Sequence, residues 1–231
     1  MSSAERRTRA DNRAHMEAEI LRLGRAQLAT RGPAALSLRE VARELGVASS
    51  AVYRYVADRD ALLTRLVVDA YTDLADSVET ALAGAASAAY SDRLECFALA
   101  MRAWALDNPA RWGLIYGTPV PGYAAPESAT TPPGTRLMAA LAVITAEAPS
   151  TLAEHTGPLE AGYRAFLEAG AAELGLTGTP DRFADAVETW CAIVGTVSME
   201  VFGQLGPEVS QIGEALLRRT VAGLVARHTA D

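Results

Sequence analysis

The chain has 231 residues, 50% of them hydrophobic and 21% charged, with a formal net charge of −7 and two cysteines. Half the residues being apolar excludes a disordered chain, and the length suits two domains. No apolar run reaches the roughly 18 residues of a membrane helix, and residues 1–13 are polar with Arg6, Arg7, Arg9 and Arg13, so a cytoplasmic protein is expected.

The charge is unevenly divided. Residues 1–66 carry 12 arginines against 8 acids, a net of +4, and the remainder carries 9 against 20, a net of −11 (21 less 12, and 28 less 8). A basic head on an acidic body turns the head toward a polyanion. All 21 basic residues are arginine. That bias also runs through the acidic part, so it reflects genome composition more than a binding site.

Helical periodicity dominates. Residues 12–31 predict a first helix, ended by Arg31-Gly32-Pro33. Ser37 followed by Glu40 is a capping box, which satisfies orphan amides at a helix start. Leu38, Val41, Ala42 and Leu45 then form one apolar stripe, and Gly46 supplies the left-handed residue that stops the helix. Ser49 is placed to cap the next helix, with Val52 and Val56 as inward anchors. Ser49, Ser50, Ala51, Tyr53, Arg54 and Tyr55 face outward. Small residues lead and phenols and a guanidinium follow, as suits a helix lying in a DNA major groove. Asp58 opens a fourth helix, residues 58–83. Arg39 and Arg59 sit in the first turns of their helices, where cations oppose the helix dipole and a bound phosphate would reverse the sign.

The body reads as helices at 92–107 (capped by Asp92), 109–116, 135–148, 158–174, 181–205 and 208–227. Residues 117–134 hold five of the 11 prolines and predict a long irregular loop. Phe183, Val187, Trp190, Val194, Val197, Val201 and Leu205 alternate by four and three, a seam that with the last helix suits a homodimer. Cys96 and Cys191 read as small buried hydrophobes.

Residues 12–66 resemble the DNA-binding domain of the TetR (tetracycline repressor) family. The resemblance rests on Leu36-Ser37-Leu38-Arg39-Glu40-Val41-Ala42, Leu45-Gly46-Val47, Val52-Tyr53-Arg54-Tyr55-Val56 and Asp58-Arg59-Asp60-Ala61-Leu62-Leu63. Tyr55 stands where that family often has histidine, Arg59 where it has lysine. The remainder, taken as 75–231, resembles a C-terminal ligand domain of the Trp-His-Gly subfamily, although Val194 precedes Gly195 and Trp190 lies earlier. The resemblance implies an all-α fold: a three-helix head with a helix-turn-helix, and a larger effector-binding and dimerisation domain. It also implies double-stranded operator DNA as partner, contacted through Ser37, Arg39, Ser49, Ser50, Ala51, Tyr53, Arg54, Tyr55 and Arg59.

Trp104, Trp112, Tyr116, Tyr123, Tyr163, Phe166, Trp190, Met199, Glu200 and Phe202 are the expected lining of a pocket for a small apolar or aromatic effector. Glu200 falls on a buried row and needs a partner, with Arg102 and Arg111 as candidates. His15, His155 and His228 are scattered, and no phosphate loop or nucleophile elbow is present, so no cofactor, metal or catalysis is expected. The alternative is a helical ligand-binding or enzymatic protein whose head makes protein contacts.

Overall fold

The computed structural model describes residues 9–149, 157–206 and 208–229; His155 and the Arg6-Arg7 pair lie outside them. The described chain is all-helical with no strand. Its helices are α1 (Arg9–Arg31), α2 (Leu38–Glu44), α3 (Ser49–Val52), α4 (Arg59–Gly84), α5 (Tyr90–Asp107), α6 (Pro109–Tyr116), α7 (Glu127–Ala146), α8 (Ala161–Glu173), α9 (Pro180–Val201) and α10 (Val209–Thr229), with a 3-10 turn at Pro33–Ala35.

Two compact units result. The first runs up to Ala70 and takes in Ala110–Thr130; the second comprises Tyr71–Pro109 and the chain from Thr131 onward. The division falls inside α4, and it gives the head a segment that the sequence assigned to the body.

In the first unit, Ile20 and Leu23 of α1, Leu38, Val41 and Ala42 of α2, and Val52 and Val56 bury against Leu62, Leu63 and Leu66 of α4. Val120 joins this core, and Leu114 and Tyr123 pack against it. Two polar ties hold the same segment: Arg111 donates to the Asp69 carboxylate (2.9 Å), and Tyr123 shares a hydrogen bond with Thr64 (3.0 Å). At about 25 cal/mol per Å2 of apolar surface, burial is the main stabilising term of the head, and the ties fix register.

In the second unit α9 packs against α5, α8 and α10, and α10 also packs against α5. Phe97, Met101, Leu141, Ile144, Leu167 and Ile193 are fully buried there. Arg102 donates through Nε and Nη2 to both oxygens of Glu200, each at 2.7 Å; Arg111 is committed to Asp69 in the other unit. Gly213 makes this pairing possible, because a Cβ on it would collide with the Glu200 carboxylate.

Several expectations need correction. Asp92 lies in the first turn of α5, whose N-cap is Ala89. Residues 127–134 are helical, with Pro132 and Pro133 inside α7. These prolines remove the donors for the carbonyls of Ser128 and Ala129. Both residues are exposed, a position where water can take the place of the lost bonds. The seam on α9 ends at Val201, because Phe202 caps the helix and Gly203 turns left-handed at φ 65°, leaving Leu205 outside it. Cys96 is half-buried and Cys191 exposed.

Candidate nucleic-acid interface

Local sequence builds the surface on which the expected DNA contacts lie. The Ser37 hydroxyl accepts from the Glu40 amide (3.4 Å), as the capping box requires. Glu40 does not return the bond; Arg31 holds it, in contact with the carboxylate, and keeps that carboxyl below its usual range. The Ser37 amide is taken by Gln27, ten residues earlier. Ser37 N–H donates to Gln27 Oε1 (2.9 Å) and Gln27 Nε2 donates to the Ser37 carbonyl (3.3 Å). Gln27 is buried and was not legible as a partner of Ser37, since only the packing of α1 on α2 brings the two together.

Gly46 takes φ 68° and turns the chain into α3. Here the structure differs from expectation by one residue: Ala48 occupies the N-cap and Ser49 is the first helical residue, without a side-chain cap bond. The backbone starts early because the Ala51 amide already bonds the Ala48 carbonyl (2.8 Å). α3 proper closes at Val52, and a turn carries Tyr53, Arg54 and Tyr55, with Val56 N–H returning to the Val52 carbonyl (3.1 Å).

Ser50, Tyr53 and Arg54 are exposed, and Ser49 and Ala51 half-exposed. Tyr55 is the exception among the expected outward residues. It is half-buried against the head core, its carbonyl accepts from Arg65 (2.6 Å), and the Arg13 guanidinium lies over its ring at 5.6 Å. Arg13 is a second residue the sequence did not single out. Asp58 caps α4 by accepting from the Ala61 amide (2.8 Å). Arg59 donates to the Pro33 carbonyl (3.0 Å) and to Asp60 (3.1 Å).

Leu36, Ser37, Leu38, Arg39, Tyr53 and Arg59 together line a cavity of about 260 Å3. It brings together four of the nine expected DNA contacts, from the start of α2, the end of α3 and the start of α4. Arg39 is exposed and, like Arg54, takes part in no ion pair among the described residues. Two guanidiniums, a phenol and a hydroxyl around one opening are the donor set of an anion site.

Residues 20–66 match the model of bacterial regulatory proteins of the tetR family, and residues 94–224 match that of the tetracyclin repressor-like C-terminal domain. The chain belongs to the tetR family. HTH-type transcriptional regulators of Mycobacterium bovis and Mycobacterium tuberculosis are 43% identical to it over 207 residues, covering 87% of each chain. A crystal structure of a protein assigned as regulatory, SCO4313, has 33% identity and a TM-score of 0.74, over 94% of this chain and 100% of that one. The TetR family transcriptional regulator PfmR from Thermus thermophilus shares the fold at a TM-score of 0.57 and 16% identity, over 89% and 96% of the two chains. As a tetR-family member the chain is a DNA-binding transcriptional regulator, and no described helix is long and apolar enough to cross a membrane.

The ten residues expected to line one effector pocket are divided between the units of this tetR-family regulator. Trp112, Tyr116 and Tyr123 fall in the first, with Trp112 fully buried and its ring 4.5 Å from that of Tyr116. Trp104, Tyr163, Phe166, Trp190, Met199, Glu200 and Phe202 fall in the second. Trp104 is buried and donates to Asp73 (2.9 Å). Phe166 is 64% exposed and stacks on Tyr163 at 6.5 Å; Met199 and Phe202 are also exposed. The second unit does hold a cavity of about 490 Å3, which none of the ten lines. Ala142, Val143, Ala171, Leu176 and Phe183 give it apolar walls, and Glu147 and Arg182 its charge. Eight of these ten were expected there because large rings suit pockets. Most of them serve the core or stand on the surface instead.

Proposed function

We propose that this regulator is a homodimeric repressor, acting in the cytoplasm, which a small apolar or aromatic molecule releases from its operator. The observation that carries the DNA half is the opening between Arg39, Tyr53 and Arg59. A backbone phosphate seated there meets both guanidiniums, the Tyr53 phenol and the free hydrogen of the Ser37 hydroxyl, whose lone pair is already used by the Glu40 amide. Ser49, Ser50, Ala51 and Arg54 then face the major groove, where small residues permit close approach and Arg54 reaches base edges or the next phosphate. Tyr55, turned toward the core, shapes this surface rather than reading it. Two heads in a dimer read half-sites about one helical turn (~34 Å) apart.

Met199, Phe202, Leu205 and Ile212 support the dimer: four large apolar residues stay exposed at the end of α9 and the start of α10, and a second copy would cover them. The effector half rests on the cavity of about 490 Å3 in the second unit, a size within the usual range for small-molecule sites. Its walls suit an apolar body, with Arg182 and Glu147 for a polar end. No turnover is assigned to it.

The test uses a duplex that the wild-type chain selects from a random-core pool, with anilinonaphthalene sulfonate as apolar aromatic probe. The probe is expected to weaken binding of that duplex by the wild type. It should do so far less for Ala171→Trp, which fills the cavity. Equal affinity with and without probe overturns release through this cavity and leaves DNA binding standing.

A further inference from the structure

We infer that Gln27 is a positioning residue for DNA binding, acting through the backbone of Ser37; this rests on reading the Arg39–Tyr53–Arg59 opening as a phosphate site. Gln27 lies on the buried side of α1 and is only 3% exposed. A carboxamide at such a position must find partners for both ends of its dipole. It finds them in one residue, since Oε1 accepts the Ser37 amide and Nε2 donates to the Ser37 carbonyl (2.9 and 3.3 Å). That bidentate clasp crosses from α1 to the residue that caps α2.

The consequence lies at the cap. Ser37 has an amide, a carbonyl and a hydroxyl, and the clasp occupies the first two. The hydroxyl accepts from Glu40 N–H, which leaves its own hydrogen as the one unused donor of Ser37. Ser37 itself lines the opening with Arg39, Tyr53 and Arg59, so a phosphate seated there can take that hydrogen. The carboxylate of Glu40, which a full capping box would turn back onto the Ser37 amide, is instead drawn to Arg31. Gln27 therefore does the work a capping-box glutamate usually does, without placing a negative charge at the mouth of an anion site. Arg39, two residues into α2, inherits its direction from the same fixed helix start.

The test is Gln27→Met in the full chain, which keeps the side-chain volume and removes both hydrogen bonds. Affinity for the duplex selected by the wild type is expected to fall about tenfold at fixed salt, the size of one weakened charge-assisted contact. The slope of log affinity against log salt should drop by about one phosphate. Combined with Arg39→Ala the losses should be less than additive, because both act on one phosphate. An unchanged slope, or fully additive losses, overturns the inference, as does unaltered affinity. Should Gln27→Met not fold, amide exchange in the wild type decides. Ser37 N–H is expected to be protected without DNA and unchanged with it. Rapid exchange that DNA alone suppresses would show that DNA, not Gln27, orders the cap. A wild type that selects no duplex at all would count instead against the phosphate site itself.

Discussion

Arginines such as Arg93, Arg102, Arg136 and Arg218 in the body are turned onto carboxylates, whereas Arg39 and Arg54 on the face of the head are not, and Arg59 beside them is shared between Asp60 and the Pro33 carbonyl. Arg93 meets Glu147, Arg102 meets Glu200, Arg136 meets Asp76 and Glu79, and Arg218 meets Glu95 and Glu214. Two arginines of α1 behave the same way, with Arg22 on Glu19 and Arg31 on Glu40. Arg39 and Arg54, on the helix-turn-helix surface, are exposed, with no acid paired to them among the described residues. The same residue type thus does two jobs. Where its charge is satisfied internally it ties helices together, and where it is left unsatisfied it is available to an outside anion.

The contrast is best broken in the body first. Arg102→Ala leaves Glu200, 3% exposed at its side chain, as a buried charge beside Gly213. A loss of about 3–5 kcal/mol in unfolding free energy is expected, with the head still native by its amide spectrum. A loss below about 1 kcal/mol would mean that water reaches the pair. Next comes Arg39→Ala. Duplex affinity should fall by about 1.5–3 kcal/mol, as for a lost hydrogen bond to a charged group, while the thermal midpoint stays put. A lower midpoint with unaltered affinity would make Arg39 structural.

A smaller effect is expected at high pH. Burial, with the Asp185 charge adding to it, pushes the Tyr90 phenol from 10 up to about 12, and burial also raises Tyr71 and Tyr163. A raised folded value means that the stability from the neutral phenol is complete below pH 10 and is lost as pH rises toward 12. Thermal melts across that window should fall less steeply for Tyr90→Phe than for the wild type, and equal steepness would refute the assignment. Smallest is Arg136→Ala. Although Arg136 bridges Asp76 and Glu79, all three are partly solvated, so denaturant melts should move by no more than about 1 kcal/mol.

What was legible in the sequence was local. Ser37, Gly46 and Asp58 act within four residues of themselves, through caps and a left-handed turn, as their types imply, although only the Ser37 half of the expected capping box forms. The apolar stripe of α2 was equally plain, because helical periodicity reports which side is buried. Glu200 was placed inside by the same periodicity, and of its two candidate partners Arg102 is the one that meets it.

What was missed depends on the approach of distant segments. Gln27 looks like an ordinary polar helix residue until α2 is packed against α1. Tyr55 follows Tyr53 by two and was read as outward with it, but the chain turns after Val52 and packs it against the head core. The prolines at 132 and 133 suggested a loop because propensity cannot see that Ser128 and Ala129, whose carbonyls they orphan, lie exposed. The aromatic residues of the body misled for a related reason: ring size predicts burial, whereas a cavity is made by what fails to fill space, here alanines and glycines at the ends of α7 and α8.

The central claim is that the exposed serine, tyrosine and arginine surface of the head grips duplex phosphates. It is tested most directly by the affinity of the intact chain for its selected duplex between 50 and 200 mM salt. With ~6–10 phosphate contacts the affinity should drop ~10³–10⁵-fold across that range. An affinity that stays level as salt rises would contradict it.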